Sequence, residues 1–151
     1  MKPPNLVIGL LDETQVLLGV RAVSKSALLT TLAQRASRVT GINEQIIVSA
    51  LTARETLGST GFGGGIAMPH ARIEALPGMF ALFARLEKPA PFDAIDGKPV
   101  DLIVMLLSPK FADADHLATL AAFSRRLRDP SVAAALRAAA SPAAARELFA
   151  G

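Results

Sequence analysis

Two histidines, His70 and His116, and no cysteine stand in the 151-residue chain, so few side chains are good nucleophiles at neutral pH. His70 ends a glycine-rich stretch, GSTGFGGGIAMPHARI over residues 58–73, in which Gly61, Gly63, Gly64 and Gly65 fall within five positions. Bare backbone of this kind lets a bulky partner approach an imidazole closely, and Pro69 restricts the chain immediately before it. Ser59, Thr60 and the N–H groups around Gly61 are donors of the kind that suit phosphate oxygens. An exposed imidazole among such donors can act as a nucleophile toward phosphorus, because a histidine with an ordinary pKa near 6.5 is partly unprotonated at neutral pH. Transfer of a phosphoryl group also calls for a cation to offset charge on the equatorial oxygens. Arg54, in the last turn of the helix that runs into Gly58-Ser59-Thr60, is the candidate.

Other site chemistries fit less well. The loop lacks the Gly-Lys-Ser/Thr of a nucleotide cradle, and Ile66 stands where the dinucleotide spacing needs a third glycine. No pair of histidines has the spacing of a metal site, so neither metal nor cofactor is expected. His116 follows Asp113 and Asp115 and falls in the first turn of a helix, where free N–H groups favour an anion. It also shares a 4, 3, 4 spacing with Leu120, Phe123 and Leu127. The residue types alone leave a plainer reading open for each position. His70 and His116 could be structural histidines at the border of a core, Arg54 could pair with a carboxylate on a solvated face, and Ser59 and Thr60 could bond exposed carbonyls at the helix end.

The elements that would carry these residues follow from pattern. Leu28, Leu32 and Ala36 recur every four residues between a Ser24 or Ser26 cap and Gly41, which predicts a helix over 24–38. Asn43 opens a second helix, with Ile47, Leu51 and Arg54 on one face and Gly58 as its stop. Residues 79–86 and 100–107 are short apolar runs that read as strands, separated by a turn at Asp96-Gly97. The second has almost no polar alternation, as in a strand covered on both faces. A helix from Asp113 ends in Arg125, Arg126 and Arg128, which complements the axial dipole. Asp129-Pro130 and Ser141-Pro142 each place a capping side chain before a proline, predicting helices over 131–139 and 143–149. The expected fold is a single α/β domain (α+β by some schemes) over 1–151, with three layers and a small mixed sheet flanked by helices on both faces.

Hydrophobic residues make up 51% of the chain and charged residues 19%, enough for a real core. The longest strongly apolar run, Leu102 to Leu107, is far short of a bilayer span. The opening residues carry no cleavable small-residue site, so a cytoplasmic protein is expected. A net charge of +3 suits anionic partners without choosing one, and the lack of Trp and Tyr disfavours base stacking and hence nucleic acid.

The segments Ala53-Arg54-Glu55-Thr56-Leu57-Gly58-Ser59-Thr60-Gly61 and Gly65-Ile66-Ala67-Met68-Pro69-His70 resemble the active-site signature of the fructose and mannitol type of enzyme IIA in the bacterial phosphoenolpyruvate phosphotransferase system. The likeness continues through residues 92–102, FDAIDGKPVDL, and is strongest to the nitrogen-related branch. It implies that His70 is the phosphorylated histidine, Arg54 the phosphate-stabilising arginine and His116 the second active-site histidine. It also implies a histidine phosphocarrier protein as donor. A free-standing regulatory role is implied too, with targets such as potassium-transport or sensor proteins, because neither a IIB segment nor a membrane segment accompanies the domain. A sugar-specific IIA serving a IIB domain, and a docking module in which phosphorylation is secondary, are the competing expectations. Gly64, Ala71 and Arg72 depart from the Asn and Gly-Lys frequent in that branch, at positions where partners would dock.

Overall fold

The computed structural model describes residues 8–150. Two chain segments form its spine. β5 (Phe80–Ala90) and β6 (Val100–Ser108) pair antiparallel, from Phe80 opposite Leu107 to Arg85 opposite Leu102, with an irregularity before Ala90 pairs with Val100. β1 (Val16–Val20) adds to β5 in parallel. On the other side of β6 lie β3 (Ile66–Ala67) and β4 (His70–Arg72), both parallel to it, and β2 (Gly61–Gly63) pairs antiparallel with β3. The sheet is therefore mixed, in the order β1-β5-β6-β3-β2 with β4 also on β6.

Side chains of the two central strands alternate between two cores, as a period of two requires. Leu82, Ala84, Ile103, Met105 and Leu107 face one layer, formed by α1 (Lys25–Thr40) and α2 (Glu44–Thr56). Phe83, Leu102, Val104 and Leu106 face the other, formed by α3 (Asp113–Arg128), α4 (Pro130–Ala138) and α5 (Pro142–Glu147). This is the three-layer α/β arrangement expected, with the apolar run of β6 buried on both faces.

Caps fix the helix boundaries largely where the sequence puts them. Ser24, Asn43, Asp129 and Ser141 each accept a hydrogen bond from a first-turn N–H, and Gly41 closes α1 in the left-handed conformation. The strands differ more. β5 runs on to Ala90 beyond the predicted end at 86, β1 is an edge strand that the pattern does not announce, and the glycine-rich stretch carries three short strands instead of an irregular loop. The stripe of α3 is also corrected: His116, Thr119, Phe123 and Leu127 are its buried residues, whereas Leu120 is only half-buried.

Candidate functional site

β3 and β4 form a single track along β6 that is broken at Met68-Pro69. Proline has no N–H to give the ladder, although its carbonyl still accepts from Leu106 N at 3.0 Å. The break leaves the Met68 carbonyl free of the sheet, and it accepts from His70 Nδ1 at 3.0 Å. Arg54, at the end of α2, donates from Nε to His70 Nε2 at 3.2 Å and from a terminal nitrogen to the Gly58 carbonyl at 3.0 Å. A carbonyl can only accept and a guanidinium can only donate, so together these partners define the tautomer. Nδ1 carries the hydrogen and Nε2 holds the lone pair. Burial, with the nearby Arg54 charge, lowers the His70 pKa against a smaller opposing pull from the Met68 carbonyl. The lowered pKa and the bond that Arg54 gives to Nε2 both favour the neutral ring.

His116 enters the same site from α3. Its ring centroid lies 5.3 Å from that of His70, and its Nδ1 is bonded to the Ser108 hydroxyl at the end of β6. It is only 5% exposed, and burial, followed by the proximity of the His70 imidazole and the Arg72 charge, lowers its pKa. Arg72 shares a face of β4 with His70, two residues on, and pairs with Asp113 in the first turn of α3. The strand and the helix that carry the two histidines are thus tied by an ion pair at the rim.

Arg54, Ser59, Thr60, Phe62, Met68 and His70 line a depression of ≈ 240 Å³ with Leu120 and Ser124 of α3. Ser59 and Thr60 reach it, but their hydroxyl hydrogens are spent elsewhere. Ser59 donates to the Phe92 carbonyl at 2.7 Å, and Thr60 donates to Glu55. Backbone N–H groups expected to face an anion are also engaged: Thr60 with Glu55, Gly61 with Ser59 Oγ, Gly64 with Asp96 and Met68 with the Thr60 carbonyl. The loop is held internally, and the guanidinium of Arg54 is the donor aimed at Nε2. Gly61 is needed for close approach, since a Cβ there would lie 2.9 Å from Ala94 Cβ.

Glu55 is the residue the sequence pattern did not single out. It is 7% exposed and bonded to Lys25 Nζ at 3.0 Å as well as to Thr60. The signal was present: Ile47, Leu51 and Glu55 are the three buried residues of α2, so a carboxylate continues an apolar stripe at four-residue spacing. Among the described residues, no group of three or more potential ligands could hold a metal ion.

Residues 9–151 match the family model described as phosphoenolpyruvate-dependent sugar phosphotransferase system, EIIA 2. The chain belongs to this EIIA family. It is 42% identical over 132 residues to the nitrogen regulatory protein of Bradyrhizobium diazoefficiens, covering 87% of this chain and 86% of that one. Against the nitrogen regulatory protein of Escherichia coli K12 the figures are 39% over 123 residues, 81% and 76%. The crystal structure of IIA-Ntr from Neisseria meningitidis superposes with a TM-score of 0.91 at 32% identity, covering 95% of this chain and 99% of that one. The likeness to the nitrogen-related branch read from the motifs is met by these relatives. As an EIIA the chain is a phosphotransfer component, and no helix among its described residues is long and apolar enough to cross a membrane.

Proposed function

We propose that this EIIA is a regulatory phosphoryl acceptor of the nitrogen-related phosphotransferase system, reversibly phosphorylated at His70 Nε2 by a histidine phosphocarrier protein. The observation that carries the reading is the pair of bonds on the imidazole: Met68 holds Nδ1–H, and Arg54 holds the Nε2 lone pair. In the transfer step, Nε2 attacks phosphorus in line as the phosphorus–nitrogen bond to the donor histidine breaks. The Nδ1 hydrogen stays on the ring, bound to a carbonyl that can only accept it. No proton has to move, and the reverse step regenerates the same neutral tautomer. Arg54 loses its contact with Nε2 when that lone pair becomes the bond to phosphorus. Its guanidinium is then available to the phosphoryl oxygens, an interaction absent from the resting state and therefore useful to transfer. His116, 5.3 Å away, is the second histidine of the reaction, and Ser59, Thr60 and Gly61 shape the loop that presents the first.

Leu57, 84% exposed after the Arg54 turn, and Leu117, 65% exposed beside His116, give a docking partner apolar purchase next to the reacting ring. A phosphoryl group would add close to two negative charges at this rim, next to Arg54 and Arg72, and so change which partners the face accepts. Regulatory targets such as potassium-transport or sensor proteins, in the cytoplasm, fit that switch.

A relative at 39% identity over 104 residues, the fructose-specific EIIA component of Haloferax volcanii, favours the second reading, donation to a IIB domain in sugar uptake. One experiment addresses both. Incubation with phosphoenolpyruvate, the first enzyme of the system and a phosphocarrier, followed by intact mass, is expected to add one phosphoryl group to the wild type and none to His70→Ala. An adduct of normal yield in His70→Ala contradicts the proposal. Transfer onward to a IIB domain would favour the sugar reading instead.

A further inference from the structure

A continuous run of hydrogen bonds leads from the buried carboxylate to the imidazole. Glu55 accepts the N–H and the hydroxyl of Thr60, the Thr60 carbonyl accepts Met68 N–H at 3.1 Å, and the Met68 carbonyl accepts His70 Nδ1–H at 3.0 Å. At its far end Glu55 is paired with Lys25 Nζ at 3.0 Å, and Lys25 sits over the Phe92 ring, whose residue also anchors Ser59 through its carbonyl. We infer that Glu55 is a positioning residue that acts through Thr60 and Met68 to hold the His70 hydrogen on Nδ1, leaving Nε2 as the reacting nitrogen.

Three points support this. A carboxylate taken out of water is costly, and a buried ion pair seldom stabilises more than apolar residues of the same volume would. For packing alone, a leucine at position 55 would extend the stripe of Ile47 and Leu51. Next, the Met68 carbonyl lies at a break in the sheet with no ladder partner. Its residue is held on one side by the bond from Met68 N–H to Thr60 and on the other by the bond from Leu106 N–H to the Pro69 carbonyl, so what holds Thr60 helps to place it. Finally, Glu55 fixes Thr60 through two bonds and Thr60 in turn fixes the backbone at Met68, whose carbonyl can only accept the Nδ1 hydrogen. The same carboxylate charge opposes the lowering of the His70 pKa. The charged and titratable groups that face His70 are Arg54 and Glu55 from α2, Arg72 from its own strand and His116 from α3.

The inference rests on His70 as the reacting residue, and its test has one readout independent of phosphorylation. Long-range nitrogen–proton NMR on the full unphosphorylated chain reports the His70 tautomer. Potassium phosphoramidate then serves as the phosphoryl donor: its phosphorus–nitrogen bond breaks, ammonia leaves with the protons it already carries, and the bond to Nε2 forms. Wild type is expected as the Nδ1–H tautomer. Glu55→Gln is expected to give mixed tautomers, a lower His70 titration midpoint and labelling slowed roughly tenfold, the scale on which outer partners of an imidazole act at metal sites. Thr60→Val, which keeps the side-chain shape and removes the hydroxyl, is expected to move both readouts in the same direction by less. A folded Glu55→Gln protein with wild-type tautomer and rate overturns the inference, whatever its melting temperature, because a purely structural carboxylate would change stability alone. Should that variant not fold, Thr60→Val decides, and unchanged tautomer and rate there overturn it equally. Failure of the wild type to label counts against the proposed function, and the tautomer comparison still decides this one.

Discussion

The centre of the sheet and its glycine-rich edge are built on opposite terms. β5 and β6 are long, pair over most of their length and place their side chains in two apolar cores, with Phe83 and Met105 fully buried. β2, β3 and β4 have two or three residues each, and beside their ladder bonds the loop segments that flank β2 and β3 are tied by polar bonds: Glu55 on Thr60, Ser59 on Phe92, Asp96 on Gly64 and Arg137 on Gly64. Apolar burial is strong but non-directional, so it suits a scaffold. Hydrogen bonds contribute less each but fix direction, which is what holding an imidazole in one tautomer requires. The two regions meet on β6, whose Leu102 and Leu106 pair with the edge strands while their side chains lie in the core.

This contrast predicts that changes at the centre alter stability and changes at the edge alter chemistry. Phe83→Ala should destabilise the fold by about 3–5 kcal/mol, read by urea unfolding, while labelling of His70 at low temperature keeps its wild-type rate. A large loss of rate in a folded Phe83→Ala protein would break the division. Arg54→Ala should slow phosphorylation by roughly 100- to 1000-fold with little change in unfolding midpoint, since its contacts are His70 and one exposed carbonyl. Unchanged kinetics would remove Arg54 from the site. Gly61→Ala lies between the regions. Its new Cβ would crowd the backbone and side chain of Ala94, at a cost of about 1–3 kcal/mol, and by shifting the neighbouring Thr60 it should slow phosphorylation as well.

The smallest effect is on pH dependence. His70 and His116 both have lowered pKa values, each chiefly from burial, so the folded state favours their neutral forms. Their contribution to stability is complete above the unfolded value near 6.5 and falls away as pH drops toward the folded values. Unfolding measured at pH 7.5 and 5.5 should show lower stability at the acid end, with a shallower decline in His70→Ala and in His116→Ala. Asp12, Asp96 and Asp129, all lowered from 3.8 chiefly by hydrogen bonds, act only at more acid pH and do not blur the test.

The same contrast explains what could be read from the sequence. Caps and stripes belong to single segments, so Ser24, Asn43, Asp129-Pro130 and Ser141-Pro142 located their helices, and the unbroken apolar run of residues 102–107 announced a strand covered on both sides. β2 to β4 exist because β6 is beside them, and glycine carries no pattern of its own, so nothing local marks two- and three-residue strands. Arg54 and His70 were legible as residue types on either side of a flexible stretch. Their bond at 3.2 Å and the choice of tautomer were not, because the Met68 carbonyl that decides it is a backbone group. Glu55 is hard to read from sequence because a charge in a helix ordinarily faces water, and only its place in the stripe of Ile47 and Leu51 marks it as buried.

The central prediction is that Nε2 of His70 forms the bond to phosphorus. Long-range nitrogen–proton NMR of the phosphorylated, nitrogen-15-labelled chain identifies the substituted nitrogen directly. Phosphorus is expected on Nε2 of His70, with Nδ1 still bound to the Met68 carbonyl. Substitution at Nδ1, or on His116, would contradict it.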